Sequence, residues 1–116
     1  MAQKRLTKPG VPAPISFELG KMPPQAVELE EVVLGGVMLE KDAVIEIIDI
    51  LKVESFYKEE HQKIFGAVLD LFATDKAIDI LTVTDRLRQR KELEIIGGPA
   101  YLSQLTNRVF LIVNQK

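Results

Sequence analysis

The chain has no cysteine, no tryptophan and a single histidine among its 116 residues. Without cysteine there can be no disulfide framework and no thiolate metal site, a composition that suits the cytoplasm. One histidine, with no partnered serine or cysteine, cannot be assembled into a nucleophilic triad. Positive charge is not in excess either: 15 Lys and Arg stand against 17 Asp and Glu, for a formal net charge of −2. Dedicated nucleic-acid binders usually carry a basic surplus. No apolar run approaches the ~20 residues needed to cross a bilayer. The first 20 residues hold basic side chains but lack the continuous apolar stretch of a secretory signal. A phosphate-cradling glycine loop is missing as well. Gly20-Lys21 is followed by Met22, and Ile15 stands where such a loop needs its first glycine.

What is present points to one small helical domain. A chain of this length buries roughly 65% of its unfolded surface, enough for a core. Five of the six prolines fall at Pro9, Pro12, Pro14, Pro23 and Pro24. Proline lacks the amide donor and restricts its predecessor. Residues 1–22 therefore read as a disordered proline-rich tail, with Pro23-Pro24 opening the first helix.

That helix is predicted from Pro24 to Leu39, with Ala26, Leu29, Val33 and Val37 in one apolar row and Val27, Leu34 and Met38 in another. Glu28, Glu30 and Glu31 suit its positive N-terminal end. Gly35-Gly36 costs roughly 1 kcal/mol per glycine in a helix interior, a penalty that close approach of another backbone would offset. A second helix is expected over Lys41 to Leu51, with Asp42 as N-cap and Val44, Ile47, Ile48 and Leu51 buried. Ser55-Phe56-Tyr57 makes a turn anchored by both rings. A third helix runs from Lys58 to Ala73 on Ile64, Phe65, Val68, Leu69 and Phe72. Thr82 and Asp85 have capping-box spacing, which starts a fourth helix carrying Val83 and Leu87 inward as far as Lys91. Leu93 to Ile96 form a connector. Gly97-Gly98 permits positive φ, and Pro99 opens a last helix with Leu102 and Leu105 inward and Asn107 as C-cap. The expected fold is an all-α, compact orthogonal bundle of about six short helices.

Few residues carry candidate chemistry. His61 is expected on the first turn of the third helix, packed near Tyr57; a partner contact is its alternative role. Its neighbours Glu59 and Glu60 point to other sides of a helix, so the three do not converge on a metal. Arg86, Arg88, Arg90 and Lys91 form a basic cluster diluted by Asp79, Asp85, Glu92 and Glu94. It reads as a solvated helix face or as a weak phosphate-binding surface, and the second option makes the chain a small helical nucleic-acid-binding domain. Tyr101, beside a glycine pair, fits either half-buried packing or a partner contact. No convergent acid, base, nucleophile or metal set emerges, so no enzyme activity is expected of these residues.

Six short motifs stand in order: Pro23-Pro24-Gln25, Val33-Leu34-Gly35-Gly36, Phe56-Tyr57 with His61, Ile78-Asp79 with Leu81-Thr82, Leu93-Glu94, and Gly97-Gly98-Pro99-Ala100-Tyr101-Leu102. Together, over Pro23 to about Val109, they resemble the N-terminal domain of the bacterial replicative DNA helicase of the DnaB family. The resemblance implies an all-helical, non-catalytic domain, followed in the family by a helical hairpin, a linker and a RecA-type ATPase. Cofactors would then be none in this chain, ATP and Mg²⁺ belonging to the motor domain that it lacks. It also implies a trimer of dimers forming a collar on a hexamer. The implied partners are other helicase subunits, the C-terminal domain of primase and a helicase loader. DNA would be met only through the full protein, in the cytoplasm and without a membrane. Tyr101 occupies the position of a family aromatic implicated in primase docking, and Pro99 that of an apolar residue at a subunit contact. Leu102 and Phe110 complete the candidate contacts. The resemblance divides the chain into a tail (1–22), a helical domain (23–109) and a short end (110–116). Phe110-Leu111-Ile112-Val113 departs from the family's proline and small residues at this point. It is read as the truncated start of the hairpin region or the end of an expressed fragment, which would be monomeric or weakly dimeric.

Overall fold

Pro24 heads the first helix, α1 (Pro24–Leu39), where its missing N–H costs no hydrogen bond. The computed structural model describes residues 24–40 and 42–113. The expected tail and Lys41 lie outside the described residues. The predicted limits of α1 agree with those observed. Its inward stripe is Glu30, Leu34, Val37 and Met38, spaced as one helical face. Leu29 points to solvent instead.

The second helix is much shorter than expected, α2 (Ala43–Ile47). Asp42 is at its N-cap but makes no side-chain cap hydrogen bond. β-branched residues lose side-chain freedom in a helix, and after five residues the chain leaves the helix for turns. Val44 is buried, and Ile47, Ile48 and Leu51 pack half-buried against the core. A 3-10 turn at Val53–Ser55 follows. Phe56 then inserts into the core, its ring centroid 5.0 Å from that of Phe65. Only this ring anchors the turn, because Tyr57 is exposed.

Helix α3 (Glu59–Ala73) is the central element, burying His61, Ile64, Phe65, Ala67, Val68 and Leu71. Leu71 takes the inward place expected of Phe72, which is exposed. Helix α4 (Ile80–Gln89) starts earlier than predicted. Its capping box is Asp79 with Thr82: Asp79 Oδ1 accepts from the Thr82 N–H at 2.9 Å, and Thr82 Oγ1 accepts from the Asp79 N–H at 2.9 Å. Aspartate is short enough to serve at the N-cap itself, which leaves Asp85 on the exposed face.

Leu93 and Ile96 are buried in a hydrogen-bonded turn that ends at Gly97 (φ 108°) and Gly98 (φ 75°). The last helix, α5 (Gly98–Val113), does not stop at Asn107. No glycine or proline follows Asn107 to close it. The expected six helices thus become five α-helices and one 3-10 turn among the described residues, with no strand. Helices α1 and α5 meet where Gly35 lies against Leu105 and Val109, the close approach expected of the glycine pair. It concerns Gly35 alone, since Gly36 faces open space.

Candidate functional site

Three helices place three polar side chains in a line through the core. Glu30 stands on the buried face of α1, His61 on the first turn of α3 and Tyr101 on the first turn of α5. Glu30 Oε1 lies 2.7 Å from His61 Nδ1, and His61 Nε2 lies 2.7 Å from the Tyr101 hydroxyl. Glu30 also accepts the backbone N–H of Tyr57 at 2.6 Å and that of Lys58 at 3.4 Å. Its carboxylate is the acceptor at every contact, so the His61 Nδ1–H donates and Nε2 accepts from the tyrosine. His61 is fully buried and Glu30 nearly so. Each ring nitrogen and both carboxylate oxygens have a partner, as buried polar groups require.

Tyr101 is the only member of the line that reaches the surface. Its ring lies 13° from parallel to the imidazole, and the Lys58 ammonium sits 5.3 Å from its centroid, within cation–π range. The phenol pKa is pushed up to about 12, first by burial and then by the carboxylates of Glu31, Glu60 and Glu30, with Arg108 opposing. Such a phenol stays protonated and donates inward. It is neither a nucleophile nor a proton source at neutral pH. The line therefore acts as a hydrogen-bonded staple joining α1, α3 and α5. No group of three metal-binding side chains stands among the described residues.

His61 is thus on the first turn of α3 as expected, but its partners are Glu30 and Tyr101, and only the backbone of Tyr57 joins the network. The sequence held a usable signal for this. His61, Ile64, Phe65 and Val68 share one helical face, and Glu30 lies four residues before Leu34 on another. Both polar residues therefore occupy core positions.

The four candidate contact residues do not form one surface. Pro99 is exposed and Tyr101 half-buried. Leu102 is fully buried in the core and offers nothing to a partner. Phe110 is exposed together with Leu111 and Ile112. At about 100° per residue, Phe110 projects from the side of α5 opposite Tyr101 and below Pro99.

The basic cluster is mostly engaged within the chain. Arg90 lies 2.7 Å from Asp70 and 2.9 Å from Glu92. Arg86 shares Asp70 at 3.8 Å, and Arg88 pairs with Asp85 at 3.4 Å. The Glu92 hydrogen bond leads the causes that raise the Arg90 pKa, so its charge is fixed. Lys91 is exposed at the end of α4 with φ 63°. Cations held by neighbouring carboxylates present a weakened field to phosphate.

Comparison with known proteins gives a consistent result. Residues 22–116 match the family described as the DnaB-like helicase N terminal domain. A replicative DNA helicase DnaB from Rhodothermus marinus is 46% identical over 97 residues, covering 84% of this chain and 10% of the relative. One from Treponema pallidum is 39% identical over 101 residues, covering 87% of this chain and 23% of the relative. The crystal structure of the N-terminal domain of DnaB helicase from Mycobacterium tuberculosis superposes with a TM-score of 0.69 at 38% identity, over 76% of this chain and 64% of that one. The chain thus spans between a tenth and a quarter of the length of these two curated relatives.

Proposed function

The chain belongs to the DnaB-like helicase N-terminal domain family, and from that premise we propose that it is the assembly and docking module of a replicative helicase. Its work is to join subunits into a hexameric ring and to hold the C-terminal domain of primase, so that primer synthesis follows unwinding. A helicase loader is a further partner of the same kind. ATP and Mg²⁺ serve the motor of the whole protein, in the cytoplasm. Residues 23–109, with the exposed end of α5 that follows them, form the docking unit.

The observation that carries this reading is the exposed apolar end of α5. Phe110, Leu111 and Ile112 are all more than half exposed, the kind of contiguous patch that marks a protein contact. Tyr101 supports it from the other side of the helix. It is an aromatic held in one orientation by His61 and Lys58, and rigid aromatics are the usual anchors of binding energy. The neutralised arginines of α4 weigh against a nucleic-acid-binding domain.

The test is calorimetric titration of the chain with the primase C-terminal domain, alongside sedimentation of a longer chain that carries the following hairpin. Binding that Tyr101→Ala weakens at least tenfold, and assembly that Phe110→Ser/Leu111→Ser weakens, are the expected results. A folded sample that shows no binding at high micromolar concentration sinks the docking role.

A further inference from the structure

A shallow groove of about 680 Å³ opens at the end of the molecule away from the α1 N-terminus, where the end of α1, α2 and the loop after α3 come together. Its floor is apolar: Leu39, Ile45 and Phe72 are each more than 40% exposed there. Its rim is acidic: among the described residues Glu40, Asp42, Asp75 and the α4 N-cap Asp79 stand against one base, Lys76. Elsewhere most of the acids are paired: Glu28 and Glu31 with Arg108, Glu30 with His61, Glu59 with Lys63, Asp70 with Arg86 and Arg90, Asp85 with Arg88, and Glu92 with Arg90, whereas Glu54, Glu60 and Glu94 stand singly and apart from the groove lining. Glu40, Asp42 and Asp75, and the nearby Glu46 and Asp49, form no ion pair among the described residues. An apolar floor with an unneutralised acidic rim fits a short cationic segment with one apolar side chain.

The chain contains such a segment. Lys4, Arg5, Lys8 and Lys21 stand in the first 23 residues against a single acid, Glu18, whereas the remainder holds 16 acids and 11 bases. We propose that the groove seats the chain's own Lys4-Arg5-Leu6-Thr7-Lys8, with Leu6 on the floor and the cations facing Glu40, Asp42 and Asp75. The distance suits this. The tail joins α1 at Pro24 and the groove begins at Leu39, a span of ~24 Å along the helix. The sixteen links from Lys8 to Pro24 average ~22 Å as a flexible coil and reach ~50 Å in polyproline form. A tether whose natural length matches its span gives an effective concentration of about millimolar. Weak surface ion pairs then suffice to populate the docked state.

The absence of cysteine makes the test direct. A spin label on Ala2→Cys is the sole label site, and relaxation of backbone amides reports its neighbours. At low salt, selective broadening of Ile45, Phe72 and Ala77 is expected, with Arg88 and Ser103 unaffected. The effect should fade near 1 M salt, where screening reaches within ~3 Å, and in Lys4→Ser/Arg5→Ser/Lys8→Ser. Leu6→Ala should weaken it at low salt. These substitutions leave every residue of the five helices unchanged, so an unchanged amide spectrum elsewhere certifies the fold. Broadening that is absent, uniform or insensitive to salt overturns the proposal. So does broadening found only between separately labelled chains, which would make a second copy the donor.

Discussion

Gly35 of α1 and Leu105 of α5 touch backbone to backbone. A methyl group on Gly35 would stand 2.8 Å from Val109 Cγ2 and nearer still to the Leu105 carbonyl oxygen. Neither helix can yield, because the obstructing atom belongs to the main chain. Gly35→Ala should therefore destabilise the fold by about 2 kcal/mol, overpacking outweighing the helix-propensity gain. Gly36→Ala meets nothing within 4 Å and should stabilise by up to ~1 kcal/mol. Urea denaturation of the two variants tests the pair, and equal effects would remove the close-approach account.

The buried staple gives a second expectation. His61→Ala removes a fully buried ring and leaves Glu30 and the Tyr101 hydroxyl without their main partner. A loss of about 3 kcal/mol or more should follow. Tyr101→Phe deletes one hydrogen bond and should cost about 1 kcal/mol. In a double-mutant cycle the two should be non-additive, since each variant breaks the same contact. Strict additivity would mean that the hydrogen bond contributes nothing.

Alkaline pH should weaken the fold through Tyr101. Its phenol titrates near 12 in the folded chain against an ordinary value of 10. A pKa raised by folding gives stabilisation that is complete below pH 10 and is lost as pH rises from about 10 through 12. The stability difference between the parent chain and Tyr101→Phe should shrink across that window. A difference that stays flat to the top of the window would refute the burial of the phenol.

Two helices close on non-glycine residues in left-handed conformation, α3 on Asp75 (φ 59°) and α4 on Lys91 (φ 63°). At each, the following N–H bonds back to the last turn, Lys76 to the Leu71 carbonyl and Glu92 to that of Leu87, both at 2.9 Å. Glycine is the residue with no steric penalty there. Asp75→Gly and Lys91→Gly should each raise stability by about 1 kcal/mol, measurable as a shifted denaturation midpoint. Unchanged or lowered midpoints would argue against these closures.

Neutralised arginines should be releasable. Asp70→Asn with Glu92→Gln frees Arg86 and Arg90 from their pairs. Single-stranded DNA that the parent chain ignores at low salt should then be bound weakly, with affinity falling as salt rises. Strong binding by the parent chain itself would reinstate the nucleic-acid reading.

Legibility in the sequence varied with the range of the physics involved. The limits of α1 and the inward residues Val83, Leu87 and Leu105 follow from local periodicity, and the structure agrees. The start of α4 is ambiguous in the sequence because Asp79–Thr82 and Thr82–Asp85 share the same spacing; only the hydrogen bonds distinguish them. Asn107 resembled a stop, yet nothing after it breaks the helix, and α5 continues to Val113. Phe72 and Leu71 compete for one inward direction, and tertiary packing chose Leu71. The staple was least visible. Its members stand 31 and 40 residues apart, and no spacing rule joins side chains over such distances. A charged and a titratable residue at core positions was the available clue.

The contact between Gly35 and Leu105 also bears on how the polypeptide emerges from the ribosome. About seventy residues separate the two, and synthesis at ~5–20 residues per second leaves the first helix without its cover for roughly 4–14 s. Native closure must therefore await release of nearly the whole domain, and during that interval the nascent Leu34, Val37 and Met38 are open to capture by chaperones.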